Sequence, residues 1–298
     1  MASAGQDDVS YVSILNLNDH SVRRLNSSNG VEVLDPNGGG YHNGKVYIAG
    51  DGNHTVPPCI YEVDAITFET QVVVNSYFGL RFGGPNDLVW ASQDGGNRSW
   101  LFFTDGPLSS ICNGGASPQL PDATWRFDPV EKTVLPVIDR TDVLVPNGVR
   151  VNKNSTKLYV TDTPGRLIYG AGTVQTSSGQ TVFAGSESSA IYVFDFDQDG
   201  FPSNKRLFGI AERGIADGLR LDNEGRVWTG EADGIVVRSS AGKILGMINA
   251  LAIQGAQVVD SDQSPLQNFA LAGDLLVVFA FNKIYTVKLS SQIVTNMT

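Results

Sequence analysis

Three short stretches carry side chains whose types and spacing could do chemistry. They are Pro85-Asn86-Asp87 in "FGGPNDLVWASQDGGNRSWLFFTDG", Pro146-Asn147-Gly148 in "VLVPNGVRVNKNSTKLYVTDT" and Ala216-Asp217-Gly218 in "GIADGLRLDNEGRVWTGEADG". Each sets an Asn or Asp on a turn-type sequence in front of a dense β-rich run. Asn offers a neutral carbonyl oxygen and Asp an anionic one. Brought together, such oxygens suit a hard cation such as calcium, which takes about six to eight of them. Taken singly, Asn-Gly and Asp-Gly are ordinary turns, because both residues tolerate left-handed backbone.

Other chemistries find less support. His20, His42 and His54 are too few and too scattered for a catalytic triad, and no Gly-x-Ser-x-Gly nucleophile elbow occurs. "DFDQDG" (195–200) resembles the start of a calcium-binding EF-hand loop, but Arg206 stands where the bidentate Glu is needed. A hairpin turn at a sheet periphery is expected there. Cys59 and Cys112 are too few for a disulfide scaffold. Pairing and two buried thiols both stay open.

A formal charge of −10 with no basic face argues against nucleic acid. No apolar run approaches the roughly 18 residues of a membrane span. Five glycosylation sequons, at Asn26, Asn53, Asn97, Asn154 and Asn296, point to a secreted or secretory-pathway protein, although "MASAGQDDVS" reads as no signal peptide.

The elements that must position these residues are strands. Among 298 residues there are 33 Gly and 13 Pro, and helical periods are hard to find. One unit, a turn followed by a β-rich run ending in a small or acidic residue, recurs as "YHNGKVYIAGDG", "GGNRSWLFFTDG", "NKNSTKLYVTDT", "DNEGRVWTGEADG" and "LAGDLLVVFAFN". Each is followed by a second, alternating unit: "CIYEVDAITFET", "ATWRFDPVEKTV", "AIYVFDFDQDG", "GIVVRSSAGKI" and "KIYTVKLSS". Period-2 alternation marks half-buried strands. Tandem units of about four short strands are the blades of a β-propeller. At the N-terminus only the second half appears, as "YVSILNLNDHSVRRL". The expectation is therefore an all-β, six-bladed β-propeller with five full blades and an incomplete N-terminal one. It would be a single domain over 1–298, with 1–10 disordered.

The segments "PNDLVW", "LFFTDG", "PQLPDATWRFDP", "VPNGVRVNKNSTKLYVTDT" and "IADGLRLDNEGRVWTGEADG", in this order, resemble the senescence-marker-protein/gluconolactonase family, also called regucalcin-like (LRE-like). They are most similar to its fungal branch, and the likeness runs from about Asn37 to the end. The resemblance implies a six-bladed propeller with a divalent cation, calcium before zinc, at its central mouth. It implies Asn147 and Asp217 as metal ligands, Asp217 also as general base, and Asn86 as a substrate contact. The family's first ligand, an N-terminal Glu, has no counterpart here, so the cation could be absent. The family's substrate-side Arg is replaced by Gly84; Arg81 stands nearby. His42 could line the mouth or make a turn hydrogen bond.

Three functions follow. The first is cation-assisted hydrolysis of a lactone or similar cyclic ester of a small metabolite. The second is a metal-independent hetero-Diels–Alderase, a cyclase of secondary metabolism, in the same mouth. The third is an inactive remnant or a binding propeller. The expected partner is a small cyclic molecule bound by a monomer.

Overall fold

The computed structural model describes residues 10–107, 117–163, 189–212, 215–231, 233–254, 268–280 and 283–290, with Leu266, Ile293 and the backbone of two short strands at 173–175 and 181–183. The expected disorder of 1–10 falls mostly outside these residues, as do Cys112 and Asn296. The chain divides into two compact units, one formed by Met1–Leu88 and Asp105–Pro121, the other by Val89–Thr104 and Asp122–Thr298.

In the first unit a hairpin of β1 (Ser13–Leu15) and β2 (Val22–Arg24) precedes a four-stranded antiparallel sheet. The sheet runs β3 (Pro36–His42), β4 (Lys45–Gly50), β5 (Cys59–Asp64), β6 (Thr70–Val74) in chain order. Asn43 and Gly44 join β3 to β4 with φ of 48° and 80°. Two consecutive positive φ values match the right-handed twist of the strands they connect, which is why Asn-Gly makes tight hairpins. Val12 and Ile14 of the hairpin pack on Leu25, Val33, Ile48, Tyr61 and Val63. Fully burying each large apolar side chain is worth about 1.5–3 kcal/mol.

A second sheet has β7 (Pro85–Gln93), β8 (Arg98–Asp105), β9 (Ala123–Asp128) and β10 (Thr133–Asp139) in order. The third has β11 (Pro146–Val151), β12 (Lys157–Asp162), β15 (Ala190–Phe196) and β16 (Pro202–Ile210). A separate hairpin, β13 (Thr173–Gln175) and β14 (Thr181–Phe183), lies between β12 and β15 in sequence. The fourth sheet has β17 (Leu219–Leu221), β18 (Val227–Glu231), β19 (Gly234–Arg238) and β20 (Ile244–Asn249). A short helix α1 (Ala250–Gln254) follows it. The last sheet has β21 (Asn268–Ala272), β22 (Leu275–Ala280) and β23 (Lys283–Lys288).

These are five meandering blade-type sheets. The expected paired units form their second and third strands, and a further strand precedes each pair. The last sheet has three strands among the described residues. The N-terminal half-unit forms only the β1–β2 hairpin, so a sixth blade is not seen among the described residues.

In the second unit, Trp100, Phe102, Ile138, Val149, Leu158, Val160 and Phe194 form one buried cluster. "DFDQDG" is a hairpin turn between β15 and β16, as expected. Asp197 Oδ1 accepts from the amides of Asp199 (2.9 Å) and Phe201 (2.8 Å). Gly200, at φ 73°, lies against the Trp100 ring, where a Cβ would come within 2.5 Å.

Candidate active site at the first strands

The first strands of three sheets open with the same dipeptide: Pro36-Asn37 in β3, Pro85-Asn86 in β7 and Pro146-Asn147 in β11. Asp217 precedes β17 by two residues. The structure corrects one sequence reading here. Asn147 is not on a turn before its strand but inside it, at a bulge. Pro146 pairs with Asp162, and register resumes shifted at Val149 with Val160. In β3 the register shifts likewise between Pro36 and Gly39. A bulge re-aims the side chains of the residues it displaces. Here those residues are Asn37-Gly38 and Asn147-Gly148.

Within the second unit, Asn147 and Asp217 are brought together through their backbones. A Cβ on Gly148 would fall 2.5 Å from the Asp217 carbonyl oxygen. Thr161 Oγ1 accepts from the Gly148 amide (2.7 Å) and lies 3.2 Å from the same Asp217 carbonyl, to which it can donate. The Asp217 amide donates to Gly230 O at 3.0 Å, and its side chain is half-buried. Asn147 is 7% exposed; its carbonyl accepts from Thr104 Oγ1 at 2.5 Å. Its Nδ2 donates to Thr163 Oγ1 at 2.9 Å. That bond orients the amide and leaves Oδ1 buried with no donor among the described residues. A buried acceptor without a partner costs about 1–3 kcal/mol unless something else satisfies it.

Within the first unit, Asn86 is 9% exposed on β7. A Cβ on Gly38 would lie 2.4 Å from its carbonyl oxygen, and one on Gly40 3.3 Å from Leu88 Cδ1. The starts of β3 and β7 therefore run side by side, with Asn37 and Asn86 at the same end. His42 lies at the other end of β3, four residues or about 13 Å beyond Gly38 at strand rise. Its Nε2 is 3.0 Å from Asn43 Nδ2, the turn interaction rather than a place beside Asn86, and burial lowers its pKa. Arg81 lies four residues before Pro85, with its Nε donating to Ser117 O at 3.3 Å.

The acids ending the second strands are structural. Asp105 accepts from the amides of Gly83 (3.1 Å) and Gly84 (2.8 Å), just ahead of Pro85. Asp162 accepts from Leu144 (3.3 Å) and Val145 (2.8 Å), just ahead of Pro146. Both carboxylates clamp the approach to a first strand. Glu231, the counterpart in the fourth sheet, is instead buried against Arg238 Nη1 at 2.5 Å. Asn37, in contrast, was missed as a candidate. The signal was present in the thrice-repeated Pro-Asn.

Oxygen donors dominate this region. Among the described residues no group of three or more His, Cys, Asp or Glu could hold a metal. Asn147 Oδ1 and Asp217 fit a hard cation better than a thiolate- or imidazole-seeking one.

Comparison with known proteins agrees with this picture. Residues 84–253, which contain Asn86, Asn147 and Asp217, match the SMP-30/Gluconolactonase/LRE-like region. A gluconolactonase of Zymomonas mobilis is 26% identical over 216 residues, 69% of this chain and 51% of the relative. Lactonohydrolase oryL of Aspergillus oryzae is 28% identical over 229 residues, 70% of this chain and 48% of the relative. The chain thus spans about half the length of the curated relatives it matches. Among solved structures, a gluconolactonase from Xanthomonas campestris superposes with a TM-score of 0.70 at 21% identity, covering 94% of this chain and 78% of the other. Regucalcin from Agrobacterium tumefaciens, a calcium-binding protein, gives 0.53 at 14% identity, covering 93% of this chain and 84% of the other. The all-β propeller fold is thereby shown, and with a family match over more than half its length, the chain belongs to the SMP-30/gluconolactonase/LRE-like family.

Proposed function

We propose that the protein hydrolyses a lactone or similar cyclic ester of a small metabolite, assisted by a divalent cation held by Asn147 and Asp217. The observation that carries this reading is Asn147 Oδ1, buried, oriented through Nδ2 and without a donor among the described residues, on the residue before Gly148, whose Cα lies against the Asp217 carbonyl. When bound, the cation would polarise the ester carbonyl and lower the pKa of a water. Asp217 takes a proton from the attacking water as its oxygen adds to the acyl carbon. The ring C–O bond then breaks, and the proton passes to the departing alkoxide. The product is one hydroxy acid. Asn86 serves as a substrate contact, and Asn147 stays neutral, so its oxygen needs no deprotonation.

Calcium is the favoured cation because both donors are hard oxygens. Asp217→Ala is expected to lower lactone turnover by about 10²–10⁴-fold and to weaken calcium binding, with the fold retained by circular dichroism. Calorimetric titration with calcium alone reads the second effect. Near wild-type turnover and calcium affinity in the variant would sink the assignment. Chelator-resistant ring formation from a quinone methide and an alkene would favour the cyclase instead. The sequon asparagines Asn26, Asn53, Asn97 and Asn154 are exposed, which supports a secretory-pathway location.

A further inference from the structure

Arg238 ends β19 and Glu231 ends β18, and the two side chains are buried together, with 1% and 3% of each residue exposed. Arg238 Nη1 donates to Glu231 Oε1 at 2.5 Å and to Thr229 Oγ1 at 2.7 Å. Thr229 Oγ1 donates to the same carboxylate oxygen at 2.6 Å. A buried ion pair adds little net stability over apolar residues of the same volume, and its best-attested use is to fix one arrangement.

The arrangement within reach is that of Asp217. Thr229 and Glu231 flank Gly230. Gly230 O accepts from the Asp217 amide at 3.0 Å, and the Gly230 amide donates to Gly218 O at 2.9 Å. The ion pair thus holds, from both sides, the residue that grips Asp217-Gly218 at one amide and one carbonyl.

A second route leaves Arg238 in the other direction. Its Nη2 donates to Ile210 O, at the end of β16, at 3.1 Å. The next residue, Ala211, donates its amide to Ser189 O at 3.0 Å. The buried Ser189 Oγ accepts from the Ala216 amide at 2.6 Å and donates to Asp162 O at 3.2 Å. Ala216 immediately precedes Asp217. Gly209 leaves room for the guanidinium, since a Cβ there would stand 3.1 Å from Arg238 Nε. One planar fork with separate nitrogens can serve both routes, which a single ammonium cannot. The two routes meet on Asp217, one at the strand that pairs with it and one at the residue before it.

We propose that Arg238 is a positioning residue for Asp217, fixing its backbone through Gly230 on one side and Ser189 on the other. It acts through these groups and not on the reacting atoms. The proposal deepens the lactonase reading, on which it rests for the role of Asp217.

The test pairs the double variant Arg238→Met/Glu231→Met with Arg238→Lys. The double variant removes both charges together, so no lone ion is left buried. Amide hydrogen exchange at Asp217, followed by NMR without metal or substrate, reads the positioning directly. The double variant should exchange there at least about tenfold faster, with the amides of β22 unchanged. Its kcat on gluconolactone should fall by about ten- to hundredfold with KM within about twofold, as for a reacting group that is present but misplaced. A merely structural role would lower the folded fraction and leave kcat per folded molecule at the wild-type value. Arg238→Lys keeps the charge beside Glu231 but cannot also reach Ile210 O, and should fall between. If the double variant does not fold, Arg238→Lys decides alone. Wild-type exchange at Asp217, or faster exchange with a wild-type kcat, would overturn the proposal. A wild type that opens no lactone would end the lactonase reading instead and leave the exchange result to decide this one.

Discussion

The two units carry the same backbone device with different side chains. In the first, the bulge at Asn37-Gly38 presses Gly38 against the carbonyl of Asn86. In the second, the bulge at Asn147-Gly148 presses Gly148 against the carbonyl of Asp217. The strand starts share this geometry but differ in their acids: at the first, Asp87 Oδ1, which accepts from the Leu88 amide at 2.9 Å, would lie 2.8 Å from a Cβ on Gly38, whereas at the second the residue in contact is itself the acid, Asp217. The difference teaches that the repeat supplies position and the individual side chain supplies chemistry. Cation chemistry is proposed at the second pair because there an acid accompanies a buried Asn oxygen that has no donor among the described residues.

The largest effects should come from breaking the device itself. Gly148→Ala places a methyl 2.5 Å from the Asp217 carbonyl, and Gly38→Ala places one 2.4 Å from the Asn86 carbonyl. Backbone atoms cannot swing aside, so each should cost about 1–3 kcal/mol, toward the upper end. Urea denaturation measures it. If only one of the two variants is destabilised, the equivalence of the two junctions fails. Should both unfold, Gly148→Ala should also lose calcium affinity in residual folded protein, whereas Gly38→Ala should not.

Smaller effects are expected where the clamps are removed. Asp105→Asn and Asp162→Asn each exchange a two-amide carboxylate acceptor for a neutral amide. Each should cost about 1.5–3 kcal/mol, the range for a hydrogen bond to a charged group. Equal losses in thermal unfolding support one repeated device; stability unchanged in both would mean the clamps hold nothing.

The smallest effect separates two partly exposed acids at matching places on the third strands. Asp64 pairs with Lys45 and Asp195 with Lys157 across their sheets. Both carboxyls are held well below the usual range. The amide of Thr67 acts first on Asp64, ahead of Lys45, while Arg206 acts first on Asp195, ahead of Lys157. Because the folded pKa is the lower one, this stability is present above about pH 4 and is lost as pH falls through the folded values. Raising salt should weaken the Asp195 shift more than the Asp64 shift, since ion pairs are screened more than a local amide contact. Carboxyl-carbon NMR titrations at two salt concentrations check this, and equal salt responses would remove the distinction.

What was legible in the sequence was what is local. Alternation in "CIYEVD" and "AIYVFDF" marks β5 and β15 because a strand sends successive side chains to opposite faces. Asn43-Gly44 announces its hairpin because both residues accept positive φ. Asp105 and Asp162 were readable as structural from their recurrence after "FFT" and "YVT". The family resemblance pointed to Asn86, Asn147 and Asp217 by motif. Tertiary structure alone decided the rest. That Asn147 lies in a bulge depends on which residue of β12 it faces, a register no local pattern encodes. That its Oδ1 lacks a donor depends on Thr163 taking its Nδ2, and the matching of Gly38 to Gly148 depends on neighbouring strands about fifty and seventy residues onward. Likewise, Arg81 meets Gln119 and Ser117, 38 and 36 residues onward, only through tertiary contact. Sequence determines which conformations each short segment prefers; the site arises from contacts between distant segments, whose partners are chosen by packing.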